Sequence, residues 1–480
     1  MEAKPPEPGA EEVEQASPAS VGPMVFGDSG LEIRLPGRSP KRVAYRDITH
    51  CAGSRWGYAL ATTGNIILLR QARFPSAEAV AAAHREVRRR IAGLPGGAAQ
   101  LDQMKKIERD SGRVGLLGPI WLFAALCVVA QFFQFRDLAI VHVGSFMPSL
   151  VAQGEAWRVL TANFLHDILI FPAHILLNLI CIVSFGAFVE RALGGTRTVL
   201  ILGISAVGAM WASAMADYSE VIGASGVAAG LVGATLCLEL NASRSLPVWS
   251  RIPRRVLIGA LILQGLVDLL VPFVAGAAHA GGFVLGYLVT RTFIDAGRVV
   301  SEPGPGARRF AGLIVAALVL ALVSAMPLLE RDPEALEAHG IRVLQMPDSS
   351  VRYDNEAAWR MLTEIQPSES GVEVAVLLAL RAASGSEWSD PNVLDTLAEA
   401  LFASGDVGGA LDVIDQAVFL SYGHRYFVEQ RRRFTGERDP DDRPAPPEEG
   451  WFRRIPEGFE EDSPSLPPID PAEPGESVWI

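Results

Sequence analysis

Three short stretches place groups capable of nucleophilic and acid–base chemistry inside otherwise apolar sequence. Ser225 lies between glycines in VIGASGVAAGLVGA, and His279 begins the apolar part of AHAGGFVLGYL. His174 and Asn178 are four residues apart in FPAHILLNLI, a spacing that puts both side chains on one face of a helix. A serine activated by a histidine base performs acyl transfer, and hydrogen-bond donors beside it stabilise the oxyanion that forms.

The glycines around the serine and the histidine indicate how these two residues could meet. Each is followed by a pair of glycines spaced four residues apart, Gly226 and Gly230 in one case and Gly282 and Gly286 in the other. Such small-xxx-small faces let two helices approach closely. If the two faces meet, the serine and the histidine lie at the same depth, at the outer ends of helices that run in the same direction.

Hydrogen-bond donors for an oxyanion are available from two sources. The first backbone N–H groups of a helix beginning at Ser225 have no acceptor within that helix, and the helix dipole favours negative charge there. His174 and Asn178 add an imidazole and an amide. Each residue also has a non-catalytic explanation: a serine can bond back to its own helix, a histidine can bridge helices, and glycines can serve packing alone.

The elements that must position these groups are apolar helices of near-membrane length. The chain has 480 residues, of which 20% are charged, yet its mean hydropathy is positive, so the apolar residues must be clustered. Seven stretches carry them, at about 115–135, 168–189, 197–216, 225–240, 255–273, 279–294 and 309–328. We therefore predict an all-α polytopic membrane protein.

The loops between these stretches predict an orientation. Lys and Arg concentrate before the first stretch, after the second, between the fourth and fifth, and after the sixth. The N-terminus is then cytoplasmic, and the region after the seventh stretch is extracytoplasmic. The chain begins with an acidic, Pro-rich segment, residues 1–23, which predicts disorder rather than a cleavable signal peptide, so the first span would act as its own insertion signal.

Taken in order along the chain, these motifs resemble those of rhomboid intramembrane serine proteases. The matching residues are Gly223, Ala224, Ser225 and Gly226 of a G-x-S-G motif, His279 to Gly286 of an H-x-x-G-x-x-x-G motif, His174 and Asn178 of an H-x-x-x-N motif, and Trp157, Arg158 and Glu190 elsewhere. The resemblance covers about residues 114–295. It implies a six-helix core at 111–295, followed here by a seventh transmembrane helix at 306–330.

The resemblance also implies a mechanism. Ser225 would be the nucleophile and His279 the general base of a dyad that has no third acidic residue, with His174, Asn178 and the Ser225 backbone around the oxyanion. Such an enzyme cleaves peptide bonds in or near transmembrane segments of other membrane proteins, works within the lipid bilayer, and requires no metal and no organic cofactor.

Two features depart from the family pattern. The family often has an aromatic residue four positions after the serine, against which the histidine packs, whereas this chain has Ala229. We therefore expect His279 to be oriented by something else, or less tightly. The segment from His166 to His174 is also a few residues longer than usual and contains Pro172.

The flanking regions predict soluble modules. Residues 24–110 show short alternating runs before a helical segment, which predicts an α+β domain that resembles a pleckstrin-homology module. Its basic run REVRRR either meets anionic lipid or is a solvated helix face. Residues 331–438 resemble a tetratricopeptide-like helical domain, which either binds a partner or caps the chain. Residues 439–480, acidic and Pro-rich, predict a disordered tail.

The sequence also bears on other classes of function. A catalytically inert rhomboid-like scaffold that binds transmembrane clients is the main alternative, although both the serine and the histidine are present. A transporter fits less well, because the sequence shows no inverted repeat. The net charge of −12 argues against nucleic-acid binding. The Ala- and Arg-rich composition predicts a bacterial inner-membrane protein.

Overall fold

The computed structural model describes residues 19–110, 118–167, 172–271, 274–300, 302–347 and 349–445. The chain divides into two compact units, Met1–Ser349 and Ser350–Ile480. The first unit holds the apolar helices and the candidate site, and the second is a set of helices.

The first unit begins with two antiparallel sheets. One has the strand order β1 (Ser20–Val21), β2 (Met24–Phe26), β3 (Gly30–Ile33) and β4 (Lys41–Ala44), and the other has the order β5 (Ile48–Ser54), β6 (Gly57–Thr62) and β7 (Ile66–Arg70). Two helices follow, α1 (Ala77–Ala92) and α2 (Gly97–Asp110). Ser76 caps α1 by accepting the Ala79 N–H, and Leu31, Tyr58 and Val87 lie in the shared core. The strand-then-helix order is the one that the sequence predicts.

The remainder of this unit is built mainly from eleven α-helices within the described ranges. They are α3 (Pro119–Gln134), α4 (Ala139–Gly144), α5 (Pro148–Ala152), α6 (Arg158–Thr161), α7 (Ala173–Leu193), α8 (Gly195–Met215), α9 (Ser225–Asn241), α10 (Arg254–Leu270), α11 (Gly276–Arg291), α12 (Pro305–Leu329) and α13 (Pro333–Leu344). A small hairpin, β8 (Ile294–Asp295) and β9 (Arg298–Val299), lies between α11 and α12.

All seven stretches predicted to be spans contain a helix. Three of these helices, α7, α8 and α12, are long and apolar enough to cross a membrane, and α3 and α9 are shorter apolar helices. The helices α10 and α11 have 17 and 16 residues. At about 1.5 Å per residue, helices of this length reach roughly 25 Å, somewhat less than the usual hydrocarbon thickness. The fold is that of a helical membrane protein, and the number of seven spans stays a prediction.

Helix α9 lies at the centre of these helices. Its Val227, Leu231 and Ala234 are completely buried, and it packs against α7, α8 and α11. By contrast, α10 and α12 expose rows of leucine, isoleucine and valine. Such an apolar outer surface suits hydrocarbon, because the backbone polar groups of a helix are already paired.

Contacts between loops sort them into two faces. Phe146 and Val221 exchange backbone hydrogen bonds of 2.9 Å, and α13 binds the same loop region that holds Phe146. At the opposite face, Arg251 Nη1 donates to the Thr62 carbonyl at 2.7 Å and joins the α9–α10 connection to the N-terminal sheet. This grouping is the one that the Lys and Arg distribution predicts, while the assignment of either face to the cytoplasm stays a prediction.

The second unit contains α14 (Val351–Thr363), α15 (Glu369–Gly385), α16 (Pro391–Ala403), α17 (Val407–Leu420) and α18 (Arg425–Phe434). Consecutive helices pack together. The residues predicted to press α16 against α17 are fully buried, namely Leu394, Leu397, Ala398, Ala410, Ile414 and Ala417, and Leu401 is half-buried. The tetratricopeptide character of this helix pair stays a prediction. The structure assigns α13, predicted as part of this domain, to the first unit.

Candidate active site

Backbone contact between α9 and α11 brings the serine and the histidine to one level. A Cβ built on Gly282 would overlap the Gly226 carbonyl oxygen, and one on Gly286 would overlap that of Gly230. The two contacts advance four residues together, so α9 and α11 run in the same direction. Ser225 precedes the first contact in α9, and His279 lies in the first turn of α11.

The segment before Ser225 is held in a conformation that glycine permits. Gly223 has φ of +124°, and its N–H donates to the Ala162 carbonyl at 2.9 Å. A Cβ at this position would lie 3.1 Å from His174 Nε2 and 3.9 Å from Ser225 Oγ. The space beside Gly223 is therefore where the serine hydroxyl and the His174 ring come together, and a side chain there would obstruct it.

The hydrogen bonds of His174 define which ring nitrogen can donate. The Asp167 backbone N–H donates to His174 Nδ1 at 3.3 Å. A neutral imidazole has one donor and one acceptor nitrogen, so Nε2 carries the proton and faces the space beside Gly223. The neighbouring His166 ring contacts His174 edge-on, with ring centroids 5.2 Å apart. Burial, with a smaller contribution from His174, lowers the pKa of His166 to about 4, so His166 is neutral at pH 7.

Asn178 presents a second donor one turn further along α7. Its side chain is 6% exposed, and within the described part of the chain its Nδ2 has no hydrogen-bond partner. An unpaired buried amide costs free energy unless a ligand or intermediate accepts from it. Both predicted oxyanion donors thus lie on one face of α7 with donor capacity available.

His279 is held by two polar side chains of α10 that the sequence analysis did not single out. Asp268 Oδ1 lies 2.7 Å from His279 Nδ1 and accepts from Gln264 Nε2, also at 2.7 Å. His279 is 8% exposed. Ala229 is half-buried, and the contact that orients the imidazole comes from α10. The available signal was the carboxylate itself, because an acidic residue inside an apolar helix is costly.

The structure leaves one predicted contact unmade. Among the described residues, the polar contacts of the His279 side chain are with Gln264 and Asp268, and none is with Ser225 Oγ. Nucleophile–base hydrogen bonds are often long in the absence of substrate and shorten in the complex. No group of three or more metal-ligating side chains occurs in the described ranges.

Trp157 and Arg158 organise the loop that precedes α7. Trp157 Nε1 donates to the Val143 carbonyl at 3.0 Å. The Arg158 guanidinium is fully buried, donates to two backbone carbonyls at the end of α4 at 2.8 Å each, and pairs with Glu155 at 2.6 Å. The Glu190 carboxylate, near the end of α7, lies against Gly118 at the start of α3, where the helix dipole favours negative charge. These contacts hold the scaffold around the site.

Glu155 connects this loop to the helix that follows the last long apolar helix. It accepts from His339 Nδ1 at 2.6 Å and Arg342 Nε at 2.9 Å, and His339 Nε2 lies 3.1 Å from His142 Nε2. Burial alone would raise the pKa of Glu155, but the charge and hydrogen bond of His339, followed by those of Arg158, outweigh it and lower the pKa to about 2.

Comparison with known proteins identifies the region that carries this geometry. Residues 153–296 match the rhomboid domain. The chain is 31% identical to RHOMBOID-like protein 4 of Arabidopsis thaliana over 36% of this chain and 44% of that protein. It is 28% identical to rhomboid protease GlpG of Pectobacterium atrosepticum over 36% of this chain and 62% of that protein. It is 32% identical to rhomboid protease GluP of Bacillus subtilis over 31% of this chain and 28% of that protein.

These similarities support an assignment of the matched region to the rhomboid family. At the level of that family, they support a membrane-embedded protease. The chain spans between 28% and 62% of the length of these relatives. Within the matched region lie α6 to α11, and therefore the serine, the histidine and both candidate oxyanion donors.

Proposed function

We propose that this protein is a rhomboid-type serine endopeptidase that cleaves peptide bonds in or near transmembrane segments of other membrane proteins. The observation that carries the proposal is the parallel contact between α9 and α11 at Gly226 and Gly282. This contact supports the proposal, because Ser225 and His279 then lie at one level, beside a face of α7 whose donors are unpaired or directed at the same space.

The reaction proceeds by acyl transfer. Ser225 Oγ attacks the scissile carbonyl carbon while His279 Nε2 removes the hydroxyl proton. His279 then gives this proton to the leaving amine, the peptide C–N bond breaks, and an ester joins the acyl group to Ser225. A water molecule, deprotonated by the same imidazole, hydrolyses the ester and returns the hydroxyl.

The negative charge that develops on the carbonyl oxygen meets three donors. They are His174 Nε2–H, Asn178 Nδ2–H and the N–H of Ser225 at the start of α9. Oxyanion donors act most strongly where water is excluded, and each is worth on the order of 10²–10³ in kcat. The 6% exposure of Asn178 fits such a site.

The surrounding parts suit a membrane setting. We propose that the protein lies in a bacterial inner membrane, with the N-terminal sheet domain in the cytoplasm and α13 and the second unit outside. Its substrates are then transmembrane proteins that enter from the bilayer. The N-terminal domain, if pleckstrin-homology-like, would meet lipid headgroups, and the pair α16 and α17 would bind a protein partner.

Cleavage in reconstituted membranes tests the proposal. The full chain in liposomes is given a single-pass test protein, and the products are identified by mass spectrometry. We expect cleavage by the wild type and by Ser219→Ala, an exposed serine in the loop before α9, and none by Ser225→Ala or His279→Ala. A folded wild type that binds transmembrane segments and leaves them intact would instead favour an inert scaffold.

A further inference from the structure

The contact between α10 and α11 contains a carboxylate that the expected serine–histidine dyad does not include. Asp268 Oδ1 lies 2.7 Å from His279 Nδ1, and within the described residues its side chain bonds only to His279 and Gln264. The side chains of His279 and Asp268 are 10% and 20% exposed. The pair is thus largely, though not completely, removed from solvent.

The position of Asp268 is difficult to explain by packing. Helix α10 exposes Ile262, Leu263, Leu266 and Leu269, and Leu257 is its single fully buried residue. A carboxylate inside such an apolar helix is costly unless it has a polar partner. Asp268 faces inward instead of along this apolar surface, and its partner is the proposed general base.

The first turn of α11 leaves room for this contact. A Cβ built on Gly276 would lie 3.1 Å from the Asp268 Cβ and 3.7 Å from its carbonyl oxygen. A larger residue at position 276 would push the end of α10 away from α11. Gly276 therefore permits the close approach that places the carboxylate on the imidazole.

The hydrogen bonds determine the tautomer of His279. An ionised carboxylate only accepts hydrogen bonds, so the proton lies on Nδ1 and points to Asp268. Gln264 Nε2, 3.2 Å from Nδ1, is also a donor and gives its hydrogen to Asp268 at 2.7 Å. This leaves His279 Nε2 unprotonated, which is the form that a general base toward Ser225 requires.

We infer that Asp268 is the positioning residue of a Ser225–His279–Asp268 triad in this protein, with Gln264 holding the carboxylate in place. The inference rests on the proposed protease function and adds a third member to its machinery. Asp268 fixes the ring orientation and the tautomer of His279 and stabilises the imidazolium that forms when Ser225 loses its proton. In this chain it supplies the support that an aromatic side chain at position 229 would otherwise provide.

Loss of the carboxylate should slow the chemical step and leave substrate binding unchanged. Asp268→Asn keeps the shape but removes the charge, and its amide can donate to Nδ1 and favour the wrong tautomer. We expect kcat to fall about 10- to 100-fold, the effect of removing one charge-assisted hydrogen bond, with KM within about twofold of wild type. Asp268→Glu keeps the charge and should retain more activity than Asp268→Asn.

Two reactions of the full chain in liposomes test this inference. One is cleavage of a single-pass test protein, normalised to the serines that a fluorophosphonate probe can titrate, and the other is the rate of probe addition itself. Glu220→Gln, which changes an exposed carboxylate in the loop before α9, is the matched control. Thermal unfolding is recorded for every variant. Combining Asp268→Asn with His279→Ala completes a double-mutant cycle, in which Asp268→Asn should have no further effect once the imidazole is absent.

The outcomes separate this inference from the function on which it rests. A reactive wild type, a slowed Asp268→Asn with unchanged unfolding temperature, partial recovery in Asp268→Glu and no additivity with His279→Ala support the triad. A reactive wild type with an equally reactive Asp268→Asn overturns the triad and leaves the dyad. The triad is also overturned if Asp268→Asn slows the reaction by the same factor in the wild type and in His279→Ala. A folded wild type that neither cleaves nor labels overturns the protease proposal itself.

Discussion

The contact between α9 and α11 makes a quantitative prediction for Gly282→Ala. The new Cβ would meet backbone atoms of Gly226, which cannot rotate away as a flexible side chain can. The Gly226 carbonyl carbon would lie 2.7 Å from it, and the carbonyl oxygen closer still. Ordinary van der Waals contact begins near 3.4 Å. The two helices must therefore separate at this level.

The size of the separation between α9 and α11 sets the expected losses of catalytic rate and of stability. Relieving the overlap moves α11 away from α9 by about 1 Å, since packed backbones do not compress. A misplacement of that size in a catalytic group costs on the order of 10²-fold in rate. Overpacking costs about 1–3 kcal/mol of stability, offset by about 1 kcal/mol from the higher helix propensity of alanine. Activity should consequently suffer far more than stability.

Gly312→Ala is the matched control, because a Cβ at this position of α12 meets no atom within 4 Å. Both variants are compared with wild type in cleavage of the test protein, in the rate of fluorophosphonate addition, and in thermal unfolding. We expect Gly312→Ala to match wild type in rate. A Gly282→Ala protein with a wild-type rate would refute the claim that this contact aligns Ser225 with His279.

Three further predictions concern other positions. Asn178→Ala should lower kcat by about 10²- to 10³-fold, because it removes an oxyanion donor. Its stability should be unchanged or increased, because a buried amide N–H without a partner is removed. A destabilised variant with normal kcat would contradict the oxyanion role. The pKa of Glu155 is depressed to about 2. The carboxylate therefore stabilises the fold fully above about pH 4.5, and this stabilisation is lost as the pH falls toward 2. In thermal unfolding, Glu155→Gln should lack this pH dependence and should have a free energy of unfolding about 3 kcal/mol lower than wild type at pH 7. Burial, aided by Arg88, lowers the pKa of His50 to about 4, and His50 Nδ1 accepts the Val248 N–H. The free energy of unfolding should therefore fall as the pH drops from about 6.5 to 4, and His50→Gln should abolish this dependence. A pH dependence that persists in His50→Gln would contradict this assignment.

Local residue types were sufficient to predict the helices and the way two of them meet. Gly226 and Gly282 belong to small-residue faces that permit close helix packing, and the structure brings these two faces together. The burial of Leu394 and Ile414 in the second unit follows from helical periodicity in the same way.

Long-range contacts outside these glycine motifs were not predictable. Glu155 and His339 are separated by 184 positions, and no local pattern connects a loop near α6 with a helix beyond α12. The predicted domain boundary at residue 331 was placed where the apolar stretch ends, whereas buried hydrogen bonds attach α13 to the first unit.

Asp268 marks the limit of reasoning from motifs. It is 11 residues before His279, in another helix, and belongs to none of the motifs by which the site was recognised. The family resemblance implied a dyad without an acidic residue, so no motif connected this carboxylate with His279. Its role became visible only through the 2.7 Å contact with the imidazole.

The central claim is that Ser225 is a nucleophile activated by His279, and covalent labelling tests it most directly. The full chain in liposomes is treated with a fluorophosphonate, digested, and mapped by mass spectrometry. The account predicts a single adduct on Ser225 that disappears in Ser225→Ala and forms much more slowly in His279→Ala. A folded wild-type protein without an adduct, or with an adduct whose rate does not depend on His279, would contradict it.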